Sequence, residues 1–450
     1  MLIDMKLLKF KLLLLAILAS VVSLSAQDMR EIIKQNPNYS ASNLLSYIYQ
    51  EQSYTPAPKG FKPFYISTYG RHGSRWHTVT RHYEKATRFF VEAEAENALT
   101  ELGREVYERM KVINEHAKGR EGMLTEKGVR EHHGIAERMV RNFPEIFSTK
   151  GGRECRIDCF STLYPRCILS MAANNERIKE LNPEVQFTRT TGERYKRFMS
   201  NTRSTKYVNA YFEAEVAPKW KKHFINPDRF LLSLFKPEYV AKIEDKSDAM
   251  FRIYRIAGIM QNFDDIDVTL YDIFTAEELY SLWLYNNAHH YVVYGSSLEF
   301  GDVLASNATA LMHQIMDDFD DVIANGGRSG CLRFGHDMIL VPLINLLELE
   351  GRCPRVSLAN VDDIHKKWQD VNITSMAANV QIVLYRNKQG EVLVKVLHNE
   401  KEVRLPFKSD VAPYYRWEDF RRHYAERIKQ LEQLELPAEL DKYRKASAVL

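Results

Sequence analysis

Residues 71–78 read Arg-His-Gly-Ser-Arg-Trp-His-Thr and place the His72 imidazole between two guanidiniums, Arg71 and Arg75. Guanidiniums fork onto phosphate oxygens in a fixed planar geometry. An imidazole held among them can attack phosphorus and carry the phosphoryl group covalently. Gly73 lets backbone and ligand approach closely. Residues 64–70 are an aromatic and β-branched run that predicts a buried strand, so the motif stands at a strand end. The residues after Thr78 have helical character, and a helix start offers free N–H groups to an anion. The plain alternative is an exposed basic turn.

Two further segments carry matching chemistry. Residues 331–337, Cys-Leu-Arg-Phe-Gly-His-Asp, form a short apolar strand ending in His336-Asp337, with the helical run 339–347 behind it. A His-Asp pair alone is most often structural. Residues 156–162 are strand-like and lead through Pro165 and Arg166 to Ser170 at a helix start. Taken alone, Arg166 reads as a surface arginine.

Together the three segments resemble the histidine acid phosphatases, the branch of the histidine phosphatase superfamily that includes phytases. The first family motif is R-H-G-x-R-x-P, and His77 stands here where the family has proline. The second signature is His-Asp at a strand end, and the family also carries an arginine four residues past a Ser-Thr pair. The resemblance implies His72 as nucleophile and Asp337 as the acid for the leaving oxygen. It implies Arg71, Arg75, Arg166 and His336 as phosphate ligands. Residues 334–336, 340–343, 378–380 and 397–401 bring the resemblance closest to the multiple inositol-polyphosphate phosphatases and bacterial phytases. That subfamily usually writes its acid as His-Ala-Glu, whereas Asp337 directly follows His336, as in the more general acid phosphatases. For a polyanionic substrate, Arg81, Lys85 and Arg194 are candidate additional contacts. Arg194 belongs to a basic stretch with Arg189, Lys196, Arg197, Arg203 and Lys206 that also reads as a solvated helix face.

The chain has 450 residues, 45% hydrophobic and 27% charged, with net charge +3. That length supports a large core in one or two domains, and the charge does not suggest a nucleic-acid binder. Residues 1–26 read as a secretory signal: Lys6, Lys9 and Lys11, an apolar core over 12–22, then small residues ending at Ala26. The alternative is an uncleaved anchor; no other segment reads as a membrane span. Removing them takes away three lysines and one aspartate and leaves a charge near +1, and places the enzyme in the periplasm or outside the cell. Five cysteines, Cys155, Cys159, Cys167, Cys331 and Cys353, leave the pairing open. Cys155 and Cys159, four strand residues apart, stand about 13 Å apart, too far to bridge each other. Most of the five are expected to be reduced and packed. No Cys/His spacing suggests a metal, and four cationic groups already neutralise phosphoryl charge, so no cofactor is expected.

Around the motifs, residues 80–145 are largely helical with a break at 122–128 and a new N-cap at Thr125. Residues 180–320 look helical, strands return at 330–335, 380–386 and 392–398, and the last two flank a hairpin turn at 387–390. Strands alternating with helices predict an α/β fold, a mostly parallel central sheet flanked by helices. The expected division is a phosphatase domain over 27–175 and 325–450 with a mainly helical cap inserted over 176–324. The expected function is a secreted phosphomonoesterase acting through a phosphohistidine on inositol polyphosphates such as phytate. The alternatives are a broad-specificity acid phosphatase on sugar phosphates, or a non-catalytic binder of phosphate ligands.

Overall fold

The computed structural model describes residues 28–447, so the expected leader lies outside the described residues. Eight strands form one mixed sheet: β1 (Lys62–Arg71), β2 (Arg156–Ser161), β3 (Gln186–Thr190), β4 (Gly330–Gly335), β5 (Asn379–Arg386), β6 (Val392–His398), β7 (Lys401–Val403) and β8 (Tyr414–Arg416). Their order is β3-β2-β4-β1-β5-β6-β7, with β8 on β6. The half β3-β2-β4-β1 is parallel, and β5 to β8 complete it antiparallel.

The strand sequences explain the arrangement. Every residue of β4 is buried, as befits a parallel strand covered on both faces. Along β1, Tyr65 and Tyr69 enter one core and Ile66 the other, the alternation a pleated strand requires. The helices Glu126–Asn142 and Pro165–Leu181 cover the Ile66 face. Thr125 is the N-cap expected there, its hydroxyl accepting from the Gly128 N–H. The β5–β6 turn closes at Asn387, whose carbonyl accepts from the N–H of Gly390 at 3.2 Å, with Gly390 at φ +88°. All five cysteines are free thiols, and all but Cys353 are buried.

Two domain boundaries shift. The expected cap contains β3, which pairs with β2 at the sheet edge, so the helical part begins after it. Conversely, Arg81–Ala95 packs on Lys246–Ile259 and Glu101–Ala117 packs on Asp228–Leu234. The helical layer therefore draws on two separate stretches of chain. Hydrophobic periodicity identifies an apolar helix face but not the partner that covers it. Among the described residues no helix is long and apolar enough to cross a membrane.

Candidate active site

The three predicted motifs converge because β2, β4 and β1 are parallel neighbours and all end on one edge. Register pairs Arg71 with Gly335 and Ser161 with Phe334. His72, His336 and Arg166 follow those ends, the place where open α/β sheets bind ligands.

The loop from His72 to His77 is held from below by the Glu126–Asn142 helix. The Glu131 carboxylate accepts from the Ser74 N–H and hydroxyl, each at 2.7 Å. The Ser74 carbonyl accepts from the Thr125 N–H and hydroxyl at 2.9 and 3.0 Å. Gly73 faces Gly128: a Cβ on Gly73 would lie 2.6 Å from the Gly128 carbonyl oxygen, and one on Gly128 would lie 2.4 Å from that of Ser74. The close approach anticipated for Gly73 is thus to this helix. The Ser170 hydroxyl accepts from the Gly73 N–H at 3.1 Å. His77, in the family's proline position, donates its N–H to the Tyr83 hydroxyl at 3.0 Å. Its Nε2 stands 2.9 Å from the Arg255 carbonyl. A carbonyl only accepts, so Nε2 carries the proton.

His72 Nδ1 lies 2.9 Å from the Gly73 carbonyl. The same reasoning puts the proton on Nδ1 and leaves the Nε2 lone pair free. The His72 and His336 rings are 5.6 Å apart between centroids. The Thr162 hydroxyl touches His336 Nε2 at 3.1 Å, and the Arg166 guanidinium lies over Tyr164, 4.6 Å from its ring centre. Arg71 is fully buried. It donates from Nη1 to the carbonyls of Asn43 and Thr374 at 2.6 and 2.5 Å, and pairs through Nη2 with Asp337 Oδ2 at 3.0 Å. The Nε atoms of Arg71, Arg75 and Arg166 are buried with no acceptor.

The site is strongly positive. Burial, then Arg166 and Arg71, push the Arg75 guanidinium down to about 9. Burial, then Arg71, Arg166 and Arg75, push His72 well below its ordinary range, so the imidazole is neutral and nucleophilic. Burial and Arg166 bring His336 down to about 3. Burial alone would raise the Asp337 carboxyl, but Arg71, then His290 and His336, and the Asn43 amide hold it at about 2.

Two residues outside the motifs join this site. Asn43 donates from Nδ2 to Asp337 Oδ2 at 3.2 Å and accepts on Oδ1 from both Nη atoms of Arg255 at 3.4 Å. The kink before it, Ser42 at φ 61° and ψ −132°, is pinned by a hydroxyl bond to buried Asp370. Asp370 also accepts from Trp283 Nε1 at 3.2 Å and His290 Nδ1 at 2.8 Å. Nothing in the polar lead-in marked Asn43. Arg255 had a signal: it is the one charge in the apolar run 253–259.

The tentative substrate contacts separate. Lys85 sits among Arg252, Arg81 and Arg88, and repulsion from Arg252 and then Arg81 lowers its ammonium. The neighbouring His82 feels Arg255 and Arg75, so this patch borders the site. Arg194 instead stacks on Tyr195. A cleft of about 350 Å³ beside Arg166 and His336 is lined by Lys196 and Lys206 and not by Arg194. Lys196 stands 3.6 Å from Glu193, another residue of that cleft. Among the described residues no group of three or more His, Cys, Asp or Glu side chains could hold a metal ion.

No family model matches the chain. Over 336 residues it is 22% identical to human multiple inositol polyphosphate phosphatase 1, a match spanning 68% of this chain and 66%, just under two thirds, of that protein. The fold superposes on Bifidobacterium longum multiple inositol polyphosphate phosphatase, solved with inositol hexasulfate, with TM-score 0.72 and 18% identity over 85% of this chain and 97% of that one. It also superposes on the phytase from D. castellii, with TM-score 0.61 and 13% identity over 87% of this chain and 85% of that one.

Proposed function

We propose that this chain, whose fold is that of the histidine acid phosphatases, is a phosphomonoesterase that acts on inositol polyphosphates through a phosphohistidine on His72. The observation that carries this reading is the charge balance: Arg71, Arg75, Arg166 and Arg255 gather around a neutral imidazole, with Asp337 the one carboxylate named among their partners. That is an oxyanion site with a nucleophile at its floor. Likeness to the human and bacterial inositol polyphosphate phosphatases supports the substrate class.

The chemistry follows from the geometry. The guanidiniums and His336 hold the non-bridging oxygens, donors placed where charge gathers in the transition state. His72 Nε2 attacks phosphorus in line, the bond to the leaving oxygen breaks, and Asp337 gives that oxygen its proton. Water then attacks the phosphohistidine, Asp337 takes up its proton, and phosphate leaves with His72 restored. Asp337 is ionised while it pairs with Arg71. A phosphate that shares Arg71 weakens the pair, so the carboxyl rises and can hold the proton that a substrate monoanion brings.

The test is phosphate release from inositol hexakisphosphate against a small sugar phosphate at matched pH and salt, with and without chelator. The reading expects a higher kcat/KM on the inositol ester, no loss with chelator, and a loss of several orders of magnitude in His72→Ala. Acid-quenched wild type should carry an acid-labile, base-stable phosphoryl group on His72. A sugar phosphate that wins would select the broad acid-phosphatase reading, which the position of Asp337 directly after His336 favours. Export is part of the proposal, resting on residues 1–26; a mature N-terminus upstream of Ala26 in the producing cell's periplasm or medium would contradict it.

A further inference from the structure

A second polar cavity lies behind Arg71. It encloses about 260 Å³ and its lining includes Arg352, Lys401, His398, Ser375 and Tyr47 but no aspartate or glutamate. The nearest carboxylate, Glu400, is engaged by both Arg138 nitrogens at 2.7 Å and by the Tyr47 hydroxyl at 2.8 Å. Arg352 has no ion pair among the described residues, and its Nε is buried without an acceptor. Lys401 meets only a neutral partner, Gln50 Oε1, at 2.7 Å. Two cations in one concavity with no counter-charge make an anion site. They also depress each other's neighbourhood: burial and then Arg352 lower the Lys401 ammonium.

His398 refines the ligand. It is 1% exposed. Its Nε2 stands 3.0 Å from the Ile373 carbonyl, so Nε2 carries the proton. Its Nδ1 is then a bare acceptor, buried without a donor. Burial, then Arg352, hold the ring neutral, down at about 3. A fully ionised oxyanion would set a lone pair against that nitrogen. Hydrogen phosphate would not, because its P–OH donates while its other oxygens accept from Arg352 and Lys401.

We propose that this cavity is a second binding site, selective for a protonated phosphate group over sulfate. The walls link it to the first site. Leu45 and Tyr47 continue the segment whose Asn43 carbonyl holds Arg71, and Asn372 and Ser375 flank Thr374, whose carbonyl also holds Arg71. The Met376 N–H donates to the Leu45 carbonyl at 2.8 Å and ties the two segments together. Occupancy at the rear is therefore felt at Arg71. The site itself does not depend on the chain being a phosphatase.

The experiment is acylation of Lys401 in the full-length protein, followed by mass spectrometry of its peptide, against rising inorganic phosphate. Phosphate should slow the modification saturably. The midpoint should stay put in Arg166→Gln, which weakens only the front site. It should rise about tenfold in Arg352→Gln, which loses a charge-assisted contact. Sulfate at equal ionic strength should protect at least about tenfold less, the discrimination expected when a buried acceptor goes unpaired. Arg352→Lys, which keeps the charge, should restore most of the protection and controls for folding. Lys401 reacting equally fast with and without phosphate overturns the site. Equal protection by sulfate overturns the hydrogen-phosphate assignment. A midpoint that moves in Arg166→Gln and not in Arg352→Gln places the effect at the front site and also overturns the proposal.

Discussion

Replacing Asp337 by Asn separates the acid from its scaffold. Asp337 Oδ2 accepts from Arg71 Nη2 at 3.0 Å and from Asn43 Nδ2 at 3.2 Å. An amide oxygen can keep both partners, so the side chain should stay in place. What disappears is the proton. The carboxyl is held at about 2 against an ordinary 3.8, a preference for the ionised form of roughly 2 kcal/mol at 1.36 kcal/mol per pKa unit. A bound phosphate must offset about that much by sharing Arg71 before Asp337 can act as an acid. General acids contribute roughly 10²- to 10⁴-fold, so kcat/KM for an alkyl phosphate should fall by about that factor in Asp337→Asn. An aryl phosphate leaves without a proton and should lose far less. The variant also removes the site's carboxylate, so inorganic phosphate should inhibit it more tightly than wild type. The assay is kcat/KM for one alkyl and one aryl phosphate, with phosphate inhibition constants, on both proteins. Equal losses on the two substrates would assign Asp337 a structural role and refute the acid.

Asn43→Leu should lower kcat/KM about tenfold or more, the worth of a hydrogen bond to a charged group. Because that bond stabilises the ionised carboxyl, its loss should move the alkaline limb of the pH profile upward; an unchanged or lowered limb would contradict the contact. Gly128→Ala should cost about 1–3 kcal/mol by overpacking, since its Cβ would meet Ser74 backbone 2.4 Å away, and the displaced loop should lower kcat more than a denaturation midpoint alone suggests. Stability should fall in acid: His132, His336 and His398 lie at about 3 against an ordinary 6.5. Their contribution is complete above 6.5 and is lost as pH falls toward 3, because only the unfolded chain takes up those protons. Each such histidine costs about 1.4 kcal/mol per pH unit in that window. Urea midpoints that do not change between pH 7 and pH 5 would refute it.

What the sequence revealed and what it hid divide along a physical line. His72, Arg71, Arg75, His336 and Arg166 were legible because each follows a strand with a strong local signal, and parallel neighbours end on one edge. Helix starts such as Thr125 were legible for the same local reason, a hydroxyl three residues before a free N–H. β3 escaped because its five residues, Gln-Phe-Thr-Arg-Thr, are mostly solvent-facing at a sheet edge and carry little hydrophobic pattern. The pairing of the two helical stretches escaped because it depends on contacts between distant parts of the chain. Asn43 is the sharpest case. Its role requires three distant residues, Arg71, Arg255 and Asp337, to meet at one amide, and it requires a strained Ser42 held by a buried aspartate more than 300 positions away. No window of sequence contains that information. The His77 substitution makes the complementary point. A proline there would fix the loop by itself, whereas the histidine fixes it by two hydrogen bonds, to Tyr83 and to the carbonyl of Arg255. The second bond ties the motif loop to the helix that delivers a fourth guanidinium. A departure from the family pattern thus marks the contact through which this chain enlarges its own phosphate site.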